Sequence, residues 1–232
     1  MFKDSELASS TFEHLFEKTN RYFDQHPVIS KELISAKEEY FTITGKIGES
    51  DNEFGNRMNA FLLWFLFDFR LASTQTTPID HYLAHLKDTK TGGDLTILRS
   101  QKDHVHSLFF FVKEKQDMVI IKDIFTGLKY NISDSRILIG HDKNALFETR
   151  LFEIDGTHYF ANFFIHHPIN VRKGIKRRLK QIKKNKESLK PFLMKLHAYQ
   201  TKWRRYRNID IKSIYHFDKS LPDAKYNLRI HC

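Results

Sequence analysis

The sequence predicts an α+β fold in which N-terminal helices pack on a small antiparallel, barrel-like sheet and basic amphipathic helices follow. Apolar residues recur every three to four positions in the first part of the chain, as they do in helices. The apolar period shortens towards two after Ser107 and returns to the helical value after Pro168. We therefore expect a helical region over 1–105, the sheet over 106–168 and a basic helical segment over 169–232.

The N-terminal region is predicted to hold several helices. An apolar stripe over Phe12–Phe23 indicates the first, and a second is expected to start at Ser30 as its N-cap and to run to Tyr40. A third, apolar almost all round, is expected over Asn56–Phe69. Thr77–Asp80 combines an N-cap, a proline at the first helical position and an acid in the first turn, which predicts a fourth helix. Asp94–Lys102 is expected to form one more helical segment.

Five short strands are expected next, at Leu108–Lys113, Met118–Asp123, Lys129–Ser133, Phe147–Ile154 and Thr157–Ile165. Thr126-Gly127 and Asp155-Gly156 are the expected tight turns, because such pairs favour hairpins. Several short antiparallel strands close together favour a small barrel or rolled sheet. The Phe-rich helices that precede it are the natural cover for one of its faces.

Nearly all of the excess positive charge lies between Asn170 and Arg207. Fifteen Lys and Arg residues and a single acid, Glu187, give this segment a net charge of +14, whereas the whole chain carries +10 and the rest of it therefore −4. Apolar residues fall on one side of the predicted helix and cations on the other. The apolar stripe restarts after Pro191, so two helices, or one helix kinked at Pro191, are expected.

This charge pattern favours a nucleic-acid partner. Aligned cations neutralise phosphates and release counterions, and the excess of Lys over Arg suits backbone contact better than base readout. A face that is merely solvated normally interleaves acids with its bases. We expect a non-enzymatic protein that binds DNA or RNA. The residues expected to contact phosphates are Lys173, Lys176, Arg177, Lys180, Lys183, Lys184, Arg204 and Arg205.

Other interpretations of the basic segment remain open. It could form an interaction or scaffold module that docks an acidic protein partner. Basic amphipathic helices also bind anionic lipid surfaces, provided that their apolar stripe is free. The rings of Trp203 and Tyr206 could stack on exposed bases. Because both rings continue the apolar stripe of Phe192, packing in the core is the favoured interpretation for them.

The sequence contains no signature of an enzyme, a cofactor or a metal site. It has no G-x-S-x-G, P-loop or dinucleotide fingerprint. His81 and His85 are four residues apart, but Tyr82 stands where a zinc-protease motif has Glu. Asp103–His106 and His166-His167 are further clusters, of a kind that thirteen histidines produce by chance. We therefore expect no catalytic residues, no cofactor and no bound metal.

The acids of the body have structural interpretations. Asp68 is expected to accept hydrogen bonds from helix-end or loop donors, and Asp123 from the backbone of its own turn. Glu148, Arg150 and Glu153 are expected to form cross-strand charge pairs on a hairpin.

Bulk features predict a cytoplasmic protein without a membrane span. The single cysteine, Cys232, excludes an intrachain disulfide, which suits a reducing compartment. The first ten residues lack the cationic start and apolar run of a signal peptide. The most apolar stretch, Ala60–Phe67, is far shorter than the roughly 20 residues that span a bilayer.

Several motifs resemble those of a group of uncharacterised bacterial proteins. They are a WFxFD-type helix at Asn59–Leu71, a T-P-[IL]-x-x-[FY]-L helix at Thr77–Leu83, an SLF strand at Ser107–Phe109, a D-x-x-T-G-x-x-Y turn at Asp123–Tyr130 and an LFExRLFxxDG hairpin at Ala145–Gly156. The resemblance covers roughly residues 55–165 and implies the fold but no activity. Some members are similar to proteins with a cysteine-rich SEC-C metal module. This chain lacks those cysteines, so no metal function is implied.

Overall fold

A computed structural model describes residues 17–88, 98–99, 101–115, 118–133, 145–154 and 156–217. Helices precede and follow a barrel-like sheet, which confirms the predicted α+β fold. The predicted start of the first helix and most of the segment after 208 lie outside these residues, as do residues 94–97.

The N-terminal region contains α1 (17–25), α2 (Pro27–Thr44), α3 (Phe54–Phe67) and α4 (Pro78–Asp88), and residues 98–99 and 101–102 are also helical. Helix α2 begins three residues before the predicted cap because Pro27 occupies its first turn, where the fixed φ of proline suits a helix. Thr77 caps α4 as predicted, since its Oγ1 accepts from the Asp80 backbone N–H at 3.3 Å.

Aromatic and aliphatic side chains of α1 to α4 form the first core. Its largest members include Tyr40, Phe61, Trp64 and Phe65, all buried. Met194 from the C-terminal part of the chain joins the same cluster, so the two helical regions share one core.

The sheet contains β1 (Val105–Lys115), β2 (Met118–Asp123), β3 (Lys129–Ile132), β4 (Leu146–Ile154), β5 (Thr157–Phe160) and β6 (Ile165–His167). The strand order is β1-β2-β3-β5-β4-β6, and β1 also pairs with β4, so the first five strands close into a barrel. Ile132 and His158 join β3 and β5 in parallel, whereas the other pairs are antiparallel. The long β1 contributes to both pairings and contains a register shift between Phe111 and Lys113.

The strand predicted over Thr157–Ile165 is interrupted, and this corrects the sequence analysis. Side chains of α3 take up backbone groups of the interrupting residues. Asn56 both donates to and accepts from the Phe164 backbone, at 2.7 and 2.8 Å, and Asn59 donates to the Asn162 carbonyl at 2.8 Å. Because these groups are satisfied by a helix, the ladder can break there without leaving them unpaired.

The barrel interior is a second apolar core, made of alternate residues of its strands. Phe109, Phe147 and Ile121 are fully buried within it. The outer face of β4 is buried as well, because α3 and the C-terminal helices cover it. A strand buried on both faces does not show the polar-out alternation of an exposed hairpin.

The C-terminal segment forms a 3-10 turn (Ile169–Val171), then α5 (Arg172–Asn185), α6 (Lys190–Arg205) and α7 (Ile211–Ile214). The basic segment therefore contains two separate helices rather than one helix kinked at Pro191. Lys186 ends α5 in the left-handed conformation at φ 55°, and Pro191 lies in the first turn of α6. Among the described helices, none is both long and apolar enough to cross a membrane.

Candidate nucleic-acid interface

Helix α5 packs one side on the barrel and presents the other to solvent. Ile175, Leu179 and Ile182 are buried in the cluster that includes Leu108 and Phe110 of β1. The spacing of the three residues places the basic positions between them on the opposite side. The exposed cations of that side are Lys173, Arg177, Lys180, Lys183 and Lys184.

Two further cations of α5 lie over the barrel wall. The Arg172 guanidinium carbon is 3.8 Å from the centroid of the Phe110 ring, and Lys176 Nζ is 5.0 Å from the same centroid. An aromatic face attracts cations, so these contacts help to hold α5 on β1. They also fix one edge of its basic face against the sheet.

The outer surface of β2 and β3 extends this basic face. Lys122 of β2 pairs across the ladder with Phe110 on one side and with Lys129 of β3 on the other. Cross-strand partners share a face, so both lysines lie on the side of the barrel that carries Phe110. Burial lowers the pKa of Lys176, and the positive charges of Arg172, Lys122 and Lys180 lower it further. Cations from a helix and a sheet therefore converge here.

The phosphate contacts predicted from the sequence include Lys176 and Lys180 but not Lys122, Lys129 or Arg172. Arg172 lies in the basic segment between Asn170 and Arg207. The two barrel lysines flank the predicted Thr126-Gly127 turn, and counting outward from that turn would have paired them across the hairpin.

Few acids offset this charge. Arg178 forms an ion pair with Glu187 at 2.6 Å. Within the part of the chain that the structure describes, no carboxylate forms an ion pair with Lys173, Lys180, Lys183 or Lys184. We define the cationic surface as the side chains of Arg172, Lys173, Lys176, Arg177, Lys180, Lys183 and Lys184 on α5 together with Lys122 and Lys129 on the barrel.

Arg204 and Arg205 are predicted from the sequence to contact phosphates together with these lysines, but they have other neighbours. Arg204 lies 3.5 Å from Glu53, and its guanidinium is 5.0 Å from the centroid of the Trp203 ring. Arg205 donates to the carbonyl of Lys46 at 2.8 Å. Both arginines therefore lie beside the loop that joins α2 to α3.

Trp203 and Tyr206 differ in their exposure to solvent. Trp203 is partly buried and packs on the apolar cluster under α5 and α6, as predicted. The predicted burial of Tyr206 is wrong, because its side chain is 50% exposed. Tyr206 ends α6 with non-helical dihedral angles, so its side chain no longer follows the apolar stripe.

A buried polar network joins the barrel to both helical regions. Oε1 of Glu148 on β4 accepts hydrogen bonds from Nε2 of His106 at 2.8 Å and from Nε2 of His197 at 2.7 Å. Nδ1 of His197 then accepts from the hydroxyl of Tyr40 at 2.9 Å. Burial raises the pKa of Glu148, although His106 and Arg150 act against that rise. Burial also lowers the pKa of His106 to about 4 and the pKa of His197 well below its usual value. Both histidines are therefore neutral, and each donates to Glu148 through its Nε2–H group.

A set of buried charged side chains lies beside this polar network. Arg150 contacts both Asp68 and Nε2 of His104, and Lys190 at the start of α6 lies 2.6 Å from Asp68. Burial opposes ionisation of Asp68, but the charges of Arg150 and Lys190 outweigh it and hold the pKa of that carboxyl well below its usual value. This set therefore contains a stable carboxylate between two cations.

These contacts correct two of the predicted roles. Glu148 and Arg150 stand opposite Leu108 and His106 rather than forming a cross-strand charge pair, and both are fully buried. Asp68 forms ion pairs with Arg150 and Lys190 instead of accepting from helix-end or loop donors.

Two other predictions agree with the structure. Glu153 lies 3.6 Å from His158, its cross-strand partner. Asp123 accepts from the backbone N–H of Phe125 at 2.8 Å, within its own turn.

The network is a structural junction rather than an open reaction site. Glu148, Arg150 and His197 are at most 3% exposed, so a substrate from solvent has no access to them. Among the described residues, no group of three or more His, Cys, Asp or Glu could hold a metal ion. Of the histidines considered earlier, His81 hydrogen bonds to the Tyr22 hydroxyl at 3.1 Å.

One family model matches the chain. It covers residues 26–216 and describes a family of unknown function, DUF7986. No curated protein matches the chain. No solved structure matches it either.

Proposed function

The chain belongs to this family of unknown function, and we propose from its own surface that it binds nucleic acid through the phosphate backbone. The binding site is the cationic surface of α5 and the barrel. The observation that carries the proposal is the convergence of Arg172, Lys176 and Lys180 with Lys122 of β2. Like charges held together at this density repel one another, and a polyanion relieves that repulsion.

The composition of the surface favours contact without base readout. Seven of its nine members are lysines, which act as point charges on phosphates rather than as bidentate readers of base edges. The apolar side of α5 is occupied by the barrel, so this helix has no free apolar stripe to insert into a lipid surface.

The strand order supports the proposal by analogy. A closed order β1-β2-β3-β5-β4-β1 with β3 parallel to β5 is that of the oligonucleotide- and oligosaccharide-binding barrel, whose ligands lie across strands 2 and 3. A shared architecture does not establish a shared function. In this chain, however, strands 2 and 3 are the strands that carry Lys122 and Lys129.

Other parts of the proposal rest on the sequence alone. We place the protein in the cytoplasm of a bacterium, as a non-enzymatic binder. The kinship with proteins that carry an SEC-C module also stays a prediction, based on the motifs quoted above.

Fluorescence anisotropy with short duplex DNA, single-stranded DNA and RNA across a salt series tests the function. We expect the affinity to fall steeply with salt, with a log–log slope of about −4 to −7 for roughly five to eight phosphates. Absence of binding to all three probes at low salt would overturn the proposal. Capture of an acidic protein that survives nuclease treatment would then point to the docking module instead.

A further inference from the structure

A small pocket opens where the loop between α2 and α3 meets the C-terminal end of α6. Its volume is about 220 Å³. Four arginines line it, namely Arg57, Arg204, Arg205 and Arg207, and Gln200 and Thr201 contribute to its wall. It shares no residue with the cationic surface of α5 and the barrel.

Two buried donors in the pocket wall lack acceptors. Arg57 and Gln200 are 1% and 2% exposed, and neither Arg57 Nε nor Gln200 Nε2 has a hydrogen-bond partner among the described residues. The other nitrogens of Arg57 are used, since they donate to Thr201 Oγ1 at 2.8 Å and to the Thr44 carbonyl at 3.0 Å. A buried donor without an acceptor is unfavourable, so an oxygen-rich ligand that reached these two donors would stabilise this wall.

The charge of the lining also favours an anion. Two carboxylates, Asp51 and Glu53, face four guanidinium groups, which leaves a net charge of +2. Both carboxylates already have partners. Asp51 accepts from the Gly48 backbone at 2.8 Å, and Glu53 accepts from Asn56 at 3.2 Å and pairs with Arg204.

We propose that this pocket binds a phosphate group. Guanidinium groups match the oxygens of phosphate with paired N–H donors, and Arg57 and Gln200 form part of the wall behind the exposed arginines. The volume is below the roughly 300–1,000 Å³ of sites for drug-sized ligands, so the pocket suits a phosphate group rather than a whole nucleotide. The phosphate comes either from a small molecule or from the 5′ end of a nucleic acid.

Calorimetric titration of the full chain with inorganic phosphate tests the proposal. We expect Arg207→Gln and Gln200→Leu each to weaken phosphate binding by about tenfold, which corresponds to about 1.4 kcal/mol. Arg70→Gln, which removes an exposed arginine elsewhere, is the matched control and should bind phosphate like the unmodified protein. Arg207 is exposed, so its variant keeps the test valid even if the buried Gln200 substitution impairs folding.

A variant in which Lys176, Lys180 and Lys183 are changed to Glu distinguishes phosphate binding in this pocket from binding at the α5 surface. Phosphate binding should survive that reversal, because none of the three residues lines the pocket. On this variant, a preference for a 5′-phosphorylated over a 5′-hydroxyl oligonucleotide would assign the site to a nucleic-acid end. Binding of adenosine monophosphate without that preference would assign it to a small molecule. Absence of phosphate binding, or equal binding by the pocket variants, would overturn the proposal.

Discussion

Glu148 accepts a hydrogen bond from His197 across 2.7 Å, although 49 residues separate the two along the chain. Glu148 is on the barrel and His197 is on α6, so the bond ties the sheet to the C-terminal helices. Tyr40 of α2 donates to the same histidine, which brings the N-terminal helices to the same point. One buried carboxylate thus organises contacts among all three regions.

Removal of that carboxylate should destabilise the protein strongly. Glu148→Leu leaves the Nε2–H groups of His106 and His197 without their acceptor, and breaking such a buried set costs about 3–5 kcal/mol. Glu148→Gln should cost less, because the amide oxygen still accepts and His106 can change tautomer through its unpaired Nδ1. Urea unfolding measures both values. Equal losses for the two variants would contradict the proposed bonding.

Mild acid should weaken the fold. Burial lowers the pKa of His104 to about 3, of His106 to about 4 and of His167 to about 3, and it also lowers the pKa of His197. Below about pH 6.5 these histidines are protonated in the unfolded chain but stay neutral in the folded protein. The free energy of unfolding therefore falls as the pH falls. Each such histidine contributes about 1.4 kcal/mol per pH unit, until the pH reaches its folded pKa.

Glu148 acts in the opposite direction, because its raised pKa lets the folded state bind a proton first. The one proton that Glu148 takes up offsets the effect of only one of the four histidines. Urea unfolding between about pH 7 and about pH 5 should therefore show a net loss of stability. His104→Gln should make that dependence shallower. A constant free energy of unfolding over this range would mean that the histidines titrate normally in the folded protein.

Charge reversal on α5 should abolish nucleic-acid binding. Lys176→Glu, Lys180→Glu and Lys183→Glu together change the surface by six charge units, and we expect affinity at low salt to fall by more than about a hundredfold. The temperature of thermal unfolding should shift little, because Lys180 and Lys183 are exposed and, of the three substituted lysines, only Lys176 contacts Phe110. Anisotropy and thermal unfolding measure the two effects.

A matched control has the same charge change on the N-terminal helices. Lys31, Lys37 and Lys87 are exposed on α2 and α4. Their reversal to Glu should leave most of the affinity in place. If both triple variants lose binding equally, net charge rather than the α5 surface governs the interaction.

The barrel lysines should affect binding and stability with opposite signs. Lys122→Ala with Lys129→Ala removes two like charges that face each other across β2 and β3, so stability should stay unchanged or rise by up to about 1 kcal/mol. Affinity should fall several-fold, and the salt slope should decrease by about 1–2 because two phosphate contacts are lost. An unchanged salt slope would confine the interface to α5.

Gly174 on α5 is required for the packing of Phe217. A Cβ at this position would lie 2.5 Å from two ring carbons of Phe217. Gly174→Ala should therefore cost about 1–3 kcal/mol by overpacking, less the gain of up to about 1 kcal/mol in helix propensity. Gly55→Ala on α3 meets no atom within 4 Å and should be neutral or stabilising in the same urea experiment. Restored stability in Gly174→Ala with Phe217→Ala would identify the ring as the cause.

Local patterns in the sequence predicted most elements of the fold. The apolar periods located the helices and strands, and the cap at Thr77 and the turn at Gly127 came from residue types with fixed backbone preferences. The interruption of the strand after Phe160 was not predictable in this way. Its backbone groups bond to Asn56 and Asn59 of α3, which lie about a hundred positions earlier in the chain.

The sequence by itself determined the fold class, the helical character of the basic segment and the concentration of positive charge. These follow from composition and from spacing within a few residues, which act through local geometry. Only the tertiary structure placed Lys122 and Lys129 beside α5, moved Arg204 and Arg205 to a separate pocket and buried Glu148 between His106 and His197. Closure of the barrel and docking of the helices bring together side chains far apart in the chain, and a local pattern carries no information about such contacts.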